Sequence, residues 1–198
     1  MRSGQGVWIS TGFHEDAVLQ FAQQFGCTDV ALQSYDTSGI PNNGGKWEKY
    51  DLVKLRLKVE NHGMKLTALE NVPSSFYDHI MLNGPRRDEQ IENMIYTIRN
   101  IARAGIPIFG YNWEPSLVWR TPYELIRGGS PATAFNEAMG KSYPLTHHRE
   151  YTEEEMWANL EYWIKIITPI AEEEGIRLGI HPSDPPVPSL GGVPRLFR

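Results

Sequence analysis

Four times along this chain a helical stretch of mixed polarity ends at a glycine, and a short apolar run then finishes on a polar residue. Gly26 leads into the run Thr28 to Gln33, Gly63 into Met64 to Glu70, Gly105 into Ile106 to Asn112, and Gly175 into Ile176 to His181. Glycine suits the position after a helix because the chain there commonly turns left-handed, which costs a Cβ clash for other residues. Between the glycines the apolar positions have helical period. Ile91, Met94, Ile95, Ile98 and Ala102 fall on one face, with Arg87, Arg99 and Arg103 outside it, so that face is expected to pack on a sheet. The last helix opens at Thr152, whose hydroxyl can cap the first turn while Glu155 reaches back to it. Its apolar stripe runs through Met156, Leu160, Trp163, Ile164 and Ile167, and Pro169 is expected to kink it near its end.

With Val7 to Thr11 as a first strand, the pattern predicts about five strands, each but the last followed by a helix. Alternating strands and helices imply a parallel α/β sheet, and strands apolar on both faces are those of a buried one. A (β/α) TIM barrel is the expected fold. An open doubly wound sheet is the runner-up, weakened because Ser10-Thr11-Gly12-Phe13-His14-Glu15 is not the glycine-rich phosphate loop that would follow its first strand. A whole barrel needs eight strands and typically about 250 residues. Residues 1–198 therefore read as one partial barrel domain, incomplete at about five of eight strands, with Arg198 expected to be a truncation point in a longer gene product.

Barrel chemistry gathers at the carboxyl ends of the strands. Here those ends carry Thr11, then Gln33 and Ser34, then Glu70 and Asn71, then Tyr111 and Asn112, and last His181 with Asp184. Some polar residue must end each strand, but their coincidence on one rim points to a site. His181 is the sharpest candidate, because a neutral imidazole on a rigid strand end is a common metal ligand and Asp184 can flank it. The span Trp113 to Glu150 is far longer than an ordinary strand-to-helix connection and reads as a lid or insertion over 113–150. It holds Arg120, Arg127 and Arg149, cations suited to an anionic substrate, and the pair His147-His148, which reads better as a solvated loop than as a ligand set. Trp157 and Trp163 read as packing residues.

Charge and composition narrow the partners. With 19 Lys and Arg against 24 Asp and Glu, the net charge of −5 argues against a nucleic-acid partner. At 40% hydrophobic residues the chain can bury a core, yet no run approaches the roughly 18 apolar residues of a membrane span, so no membrane partner is expected. A single cysteine, Cys27, rules out an internal disulfide and fits a reducing, cytoplasmic compartment. Val7-Trp8-Ile9 is too short for the apolar segment of a signal peptide.

The run His181-Pro182-Ser183-Asp184-Pro185-Pro186-Val187-Pro188, followed by Gly191-Gly192-Val193-Pro194-Arg195, resembles the His-Pro-Asp-Asp-Pro-Pro segment and trailing Pro-Arg of mannonate dehydratases. Supporting anchors occur in family order: Ile40-Pro41-Asn42 with Trp47, Glu70-Asn71-Val72-Pro73, Arg99-Asn100, Ala104-Gly105-Ile106, Tyr111-Asn112-Trp113, Trp119-Arg120-Thr121 and Tyr151-Thr152-Glu153-Glu154-Glu155. The resemblance implies a xylose-isomerase-like barrel that removes water from the sugar acid D-mannonate to give 2-keto-3-deoxy-D-gluconate, in hexuronate (glucuronate) catabolism. It implies Mn²⁺ or Fe²⁺ (manganese or iron), with His181 the first ligand and a Cys, a His and an Asp from later strands completing the set. Cys27 does not match the family's cysteine. Glu70, Tyr111, Asn112, Arg120 and Asp184 are expected to face the substrate, while the acid and base that the elimination requires are expected beyond Arg198. Two differences stand out: Ser183 replaces the first Asp of the motif, and Gln33-Ser34-Tyr35 stands where better-known members carry His. A sugar isomerase or epimerase on the same barrel, an inactive truncated fragment, and self-association as a homo-oligomer are the other readings carried forward.

Overall fold

The computed structural model describes residues 4–8, 14–33 and 40–198. Those residues form a five-stranded parallel sheet in the order β1 (Gly4–Trp8), β2 (Asp29–Gln33), β3 (Lys65–Glu70), β4 (Ile108–Tyr111), β7 (Arg177–Ile180). Between them run α1 (His14–Gln24), α2 (Lys49–Glu60), α4 (Arg87–Arg103) and α6 (Glu153–Glu174), with a short α3 (Asp78–Met81) before α4. Each strand follows its predecessor in space as in sequence, as in a barrel wall. The first strand starts three residues earlier than the apolar run predicts, because pairing with β2 sets Gly4 opposite Asp29 and Trp8 opposite Gln33. Thr11, Ser34 and Tyr35, and with them the strand-end expectations placed on them, lie outside the described residues.

The four predicted helix-ending glycines all adopt positive φ, at 75°, 74°, 81° and 66° for Gly26, Gly63, Gly105 and Gly175. At the other end of the last helix, the Thr152 hydroxyl accepts from the Glu155 N–H at 3.1 Å and the Glu155 carboxylate accepts from the Thr152 N–H at 2.8 Å. That backbone donor, then Arg149, holds the Glu155 carboxyl below its ordinary value. A depressed carboxyl stabilises the fold above its unfolded pKa, and the contribution is lost as pH falls through the folded value. Thr152→Ala is expected to cost about 1 kcal/mol in thermal unfolding at neutral pH. In the same melts, wild type should lose its margin over Glu155→Gln as the pH falls below that of an ordinary carboxyl.

The sheet has two unlike faces. Val30, Leu32, Leu66, Leu69 and Phe109 are buried under the helices, where Ile91, Met94, Ile98, Met156, Leu160, Trp163 and Ile167 meet them in one core. Ile164, predicted on that stripe, is instead 40% exposed, and Pro169 lies within a helix that continues to Glu174. The opposite face carries Ala31, Ala68, Gly110 and Gly179, small and half-exposed. A register shift between Val30 and Ala31 leaves Thr67 as an extra residue in β3, its hydroxyl donating to the Val30 carbonyl at 3.2 Å. The shift has a consequence two residues on. Strict alternation from buried Leu66 would bury position 70, whereas the bulge returns Leu69 to the core and turns Glu70 to the open face.

Candidate active site at the carboxyl rim

The rim row runs through Gln33, Glu70, Gly110 and Gly179 in register across β2, β3, β4 and β7. Gly110 is needed there: a Cβ would stand 3.2 Å from the Glu70 Cα and 3.5 Å from its Cγ, so a larger residue would crowd the carboxylate. His181, just past β7, has its backbone N–H held by the Tyr111 carbonyl at 2.8 Å. Its Nε2 lies 3.4 Å from the Glu70 Oε1, and its Nδ1 lies 2.7 Å from the Pro182 carbonyl. That carbonyl can only accept, so Nδ1 carries a proton and donates it there, which leaves Nε2 as the ring nitrogen that faces Glu70. The carboxylate beside His181 is therefore Glu70 and not Asp184. An imidazole nitrogen and a carboxylate oxygen facing one another suit a divalent cation of borderline hardness. His181 fits one corner of a metal centre; among the described residues no group of three His, Cys, Asp or Glu side chains comes together to complete one.

Other expected substrate contacts are already engaged. Tyr111 is a correction: it alternates with Phe109 onto the helix side, 4% exposed, with its ring edge-on to Trp163 at 5.7 Å. Burial there raises its phenol above the ordinary value. Asn112 is buried, and its Oδ1 accepts from the Tyr77 hydroxyl at 2.8 Å. Tyr77→Phe leaves that acceptor unpaired and is expected to lower stability by about 1–3 kcal/mol in denaturant unfolding. Arg120 and Asp184 grip each other through two hydrogen bonds of 3.0 and 2.6 Å. Their charges compensate one another across the rim.

The span between β4 and α6 folds into an antiparallel hairpin, β5 (Thr121–Leu125) with β6 (Pro131–Ala134), and a one-turn α5 (Glu137–Gly140). Arg127 sits at the exposed hairpin turn; Arg149 pairs with Glu155 at 3.1 Å and lies over the Tyr151 ring. His147 meets the Pro115 carbonyl at 3.2 Å and His148 is exposed, so the pair forms no ligand set. Trp157 is 45% exposed against Phe197, whereas Trp163 is fully buried. A cleft of about 440 Å³ lies between the hairpin and the segment after His181, lined by Arg120, Thr133, Phe135, Glu137, Asp184 and Pro186.

Sequence reasoning missed Glu114. It is 2% exposed and its Oε1 lies 2.9 Å from the Nη1 of Arg195, itself 1% exposed. The same oxygen accepts the Asp184 N–H at 2.6 Å. Burial raises the Glu114 carboxyl, and Arg195 opposes that shift. The available signal was two opposite charges in the Trp113-Glu114 and Pro194-Arg195 segments.

A sequential parallel wall with helices on one face and polar residues at the carboxyl ends of its strands is part of a xylose-isomerase-like α/β barrel. D-psicose 3-epimerase from Clostridium cellulolyticum H10 shares that fold, with a TM-score of 0.53 at 9% identity over 90% of this chain and 51% of that one. The D-mannonate dehydratase (UxuA) family model matches residues 7–143 and 126–198, and the chain belongs to this family. A mannonate dehydratase from Streptococcus pneumoniae is 33% identical over 181 residues, 78% of this chain and 48% of its own. The crystal structure of mannonate dehydratase from Streptococcus suis serotype 2 superposes with a TM-score of 0.82 at 29% identity, over 100% of this chain and 57% of that one. The chain thus spans about half the length of the relatives it matches. Among its described residues no helix is long and apolar enough to cross a membrane.

Proposed function

We propose that this chain supplies the amino-terminal wall and first metal ligand of a metal-dependent hydro-lyase that converts D-mannonate to 2-keto-3-deoxy-D-gluconate, a cytoplasmic step of hexuronate breakdown. The observation that carries this reading is His181 at the end of β7, its Nε2 3.4 Å from the Glu70 carboxylate, inside a family match that spans the rim. Mn²⁺ or Fe²⁺ held at His181 would supply Lewis-acid polarisation of the substrate's oxygens. The chain's own residues orient: Glu70 accepts a hydrogen bond from a sugar hydroxyl, and Arg120, steadied by Asp184, faces the substrate's carboxylate from the far side of the rim. The hairpin between β4 and α6 serves as a lid that excludes water from this cleft. The proton-transferring acid and base are assigned to none of the described residues. Among the neighbours, the epimerase at 9% identity shares the scaffold alone, which leaves dehydration as the supported reaction.

The test is formation of the 2-keto-3-deoxy acid from D-mannonate by the protein from its native source, with Mn²⁺ or Fe²⁺ and after chelation. Product that disappears on chelation and returns with metal is expected. Solvent-proton exchange into D-mannonate without loss of water would overturn the reading in favour of an epimerase, and no turnover with either metal would overturn it outright.

A further inference from the structure

The Glu114–Arg195 pair is buried on both sides, and nothing in the proposed chemistry uses it. Such a pair is a costly way to fill a core, since both charges lose their water and apolar residues of similar volume often serve as well or better. Its worth here lies in what it holds. One Glu114 oxygen takes the Arg195 guanidinium and the Asp184 N–H together. Arg195 reaches the Leu117 carbonyl through Nη2 and the Pro188 carbonyl through its backbone N–H. The Ser183 N–H donates to the Phe197 carbonyl, and the small hairpin of β8 (Ser189–Leu190) and β9 (Val193–Pro194) is tied to the insertion by the Thr146 N–H on Gly191 and the Tyr151 N–H on Gly192. The loop after His181 is thereby folded back onto the insertion, with the carboxylate of Glu114 at the point where the two segments meet.

We propose that Glu114 is a positioning residue: with Arg195 it fixes the backbone of the His181 to Asp184 segment, so that the His181 ring and the Asp184–Arg120 clasp meet a sugar acid in one geometry. Three ties converge on that segment: the Tyr111 carbonyl on the His181 N–H, the Phe197 carbonyl on the Ser183 N–H, and the Glu114 carboxylate on the Asp184 N–H. The first two are neutral backbone bonds, and the third is the charged one, set at the residue that also clasps Arg120. The guanidinium orients the carboxylate, and the carboxylate in turn selects the Asp184 amide, because a charged acceptor makes the shorter and stronger hydrogen bond.

The role in catalysis rests on the rim being the sugar-acid site, but the test needs neither substrate nor metal. In the isotope-labelled chain, Glu114→Gln keeps an acceptor and removes the charge. Expected are an Asp184 amide that exchanges about tenfold faster or more and loses its downfield shift, and a His181 ring whose nitrogen signals move from their wild-type positions. Core amides of Phe109 and Leu160 should exchange as in wild type, which separates displacement of the segment from general loss of stability. Arg195→Lys, which keeps the charge and shortens the reach, should give an intermediate displacement, and it carries the same readouts if Glu114→Gln fails to fold. Asp184 and His181 signals unmoved in a folded variant would overturn the proposal. Failure of wild type to dehydrate D-mannonate would remove the reading of the reaction while leaving these signals as they are.

Discussion

Trp163→Ala is expected to destabilise the chain by about 3–5 kcal/mol, the usual cost of deleting a buried tryptophan. Trp163 is fully buried on α6 and sits among three other rings, 5.7 Å from Tyr111, 6.4 Å from Tyr77 and 6.5 Å from Trp113. Those neighbours come from β4, from the segment before α3, and from the start of the insertion, so a cavity there loosens three parts of the molecule at once. For a chain of this size the loss corresponds to a drop in melting temperature on the order of 10 °C. Trp163→Phe keeps most of the ring contact and should lose less than half as much. Equal loss in the two variants, read by thermal unfolding, would show that the ring cluster is not what holds α6 to the sheet.

The second large effect is on activity. His181→Ala removes the imidazole whose Nε2 faces Glu70 and is expected to lower dehydration by more than about a hundredfold, or at least ~2.7 kcal/mol of barrier. Mn²⁺ affinity should fall with it, which calorimetric titration reads directly. Glu70→Gln retains the His181 imidazole and the side-chain shape but removes a negative charge 3.4 Å from Nε2, so it should weaken metal binding to a smaller extent. Unchanged product formation in His181→Ala would remove His181 from the reaction. The order of the two variants is itself a check, since a Glu70 effect larger than that of His181 would make the carboxylate the principal ligand.

Each local element of this protein is written in its own few residues. Left-handed glycines after the helices, the Thr152–Glu155 capping box, and the four apolar runs that follow those glycines depend on neighbours one to four positions away, and the structure shows them. The candidate His181 is legible for the same reason: it ends a strand and opens a Pro-rich motif. What the rim presents depends on partners far along the chain. The Thr67 bulge that turns Glu70 to the open face answers a register set by β2, and the burial of Tyr111 answers the ring of Trp163, 52 positions away by numbering. Arg120 meets Asp184 across 64 positions, and Glu114 meets Asp184 across 70. Charge and hydrogen-bonding capacity are properties of single residues, and so the sequence by itself determined the inventory of the site. Which of those groups face one another is a matter of packing and register, and only the tertiary structure decided it.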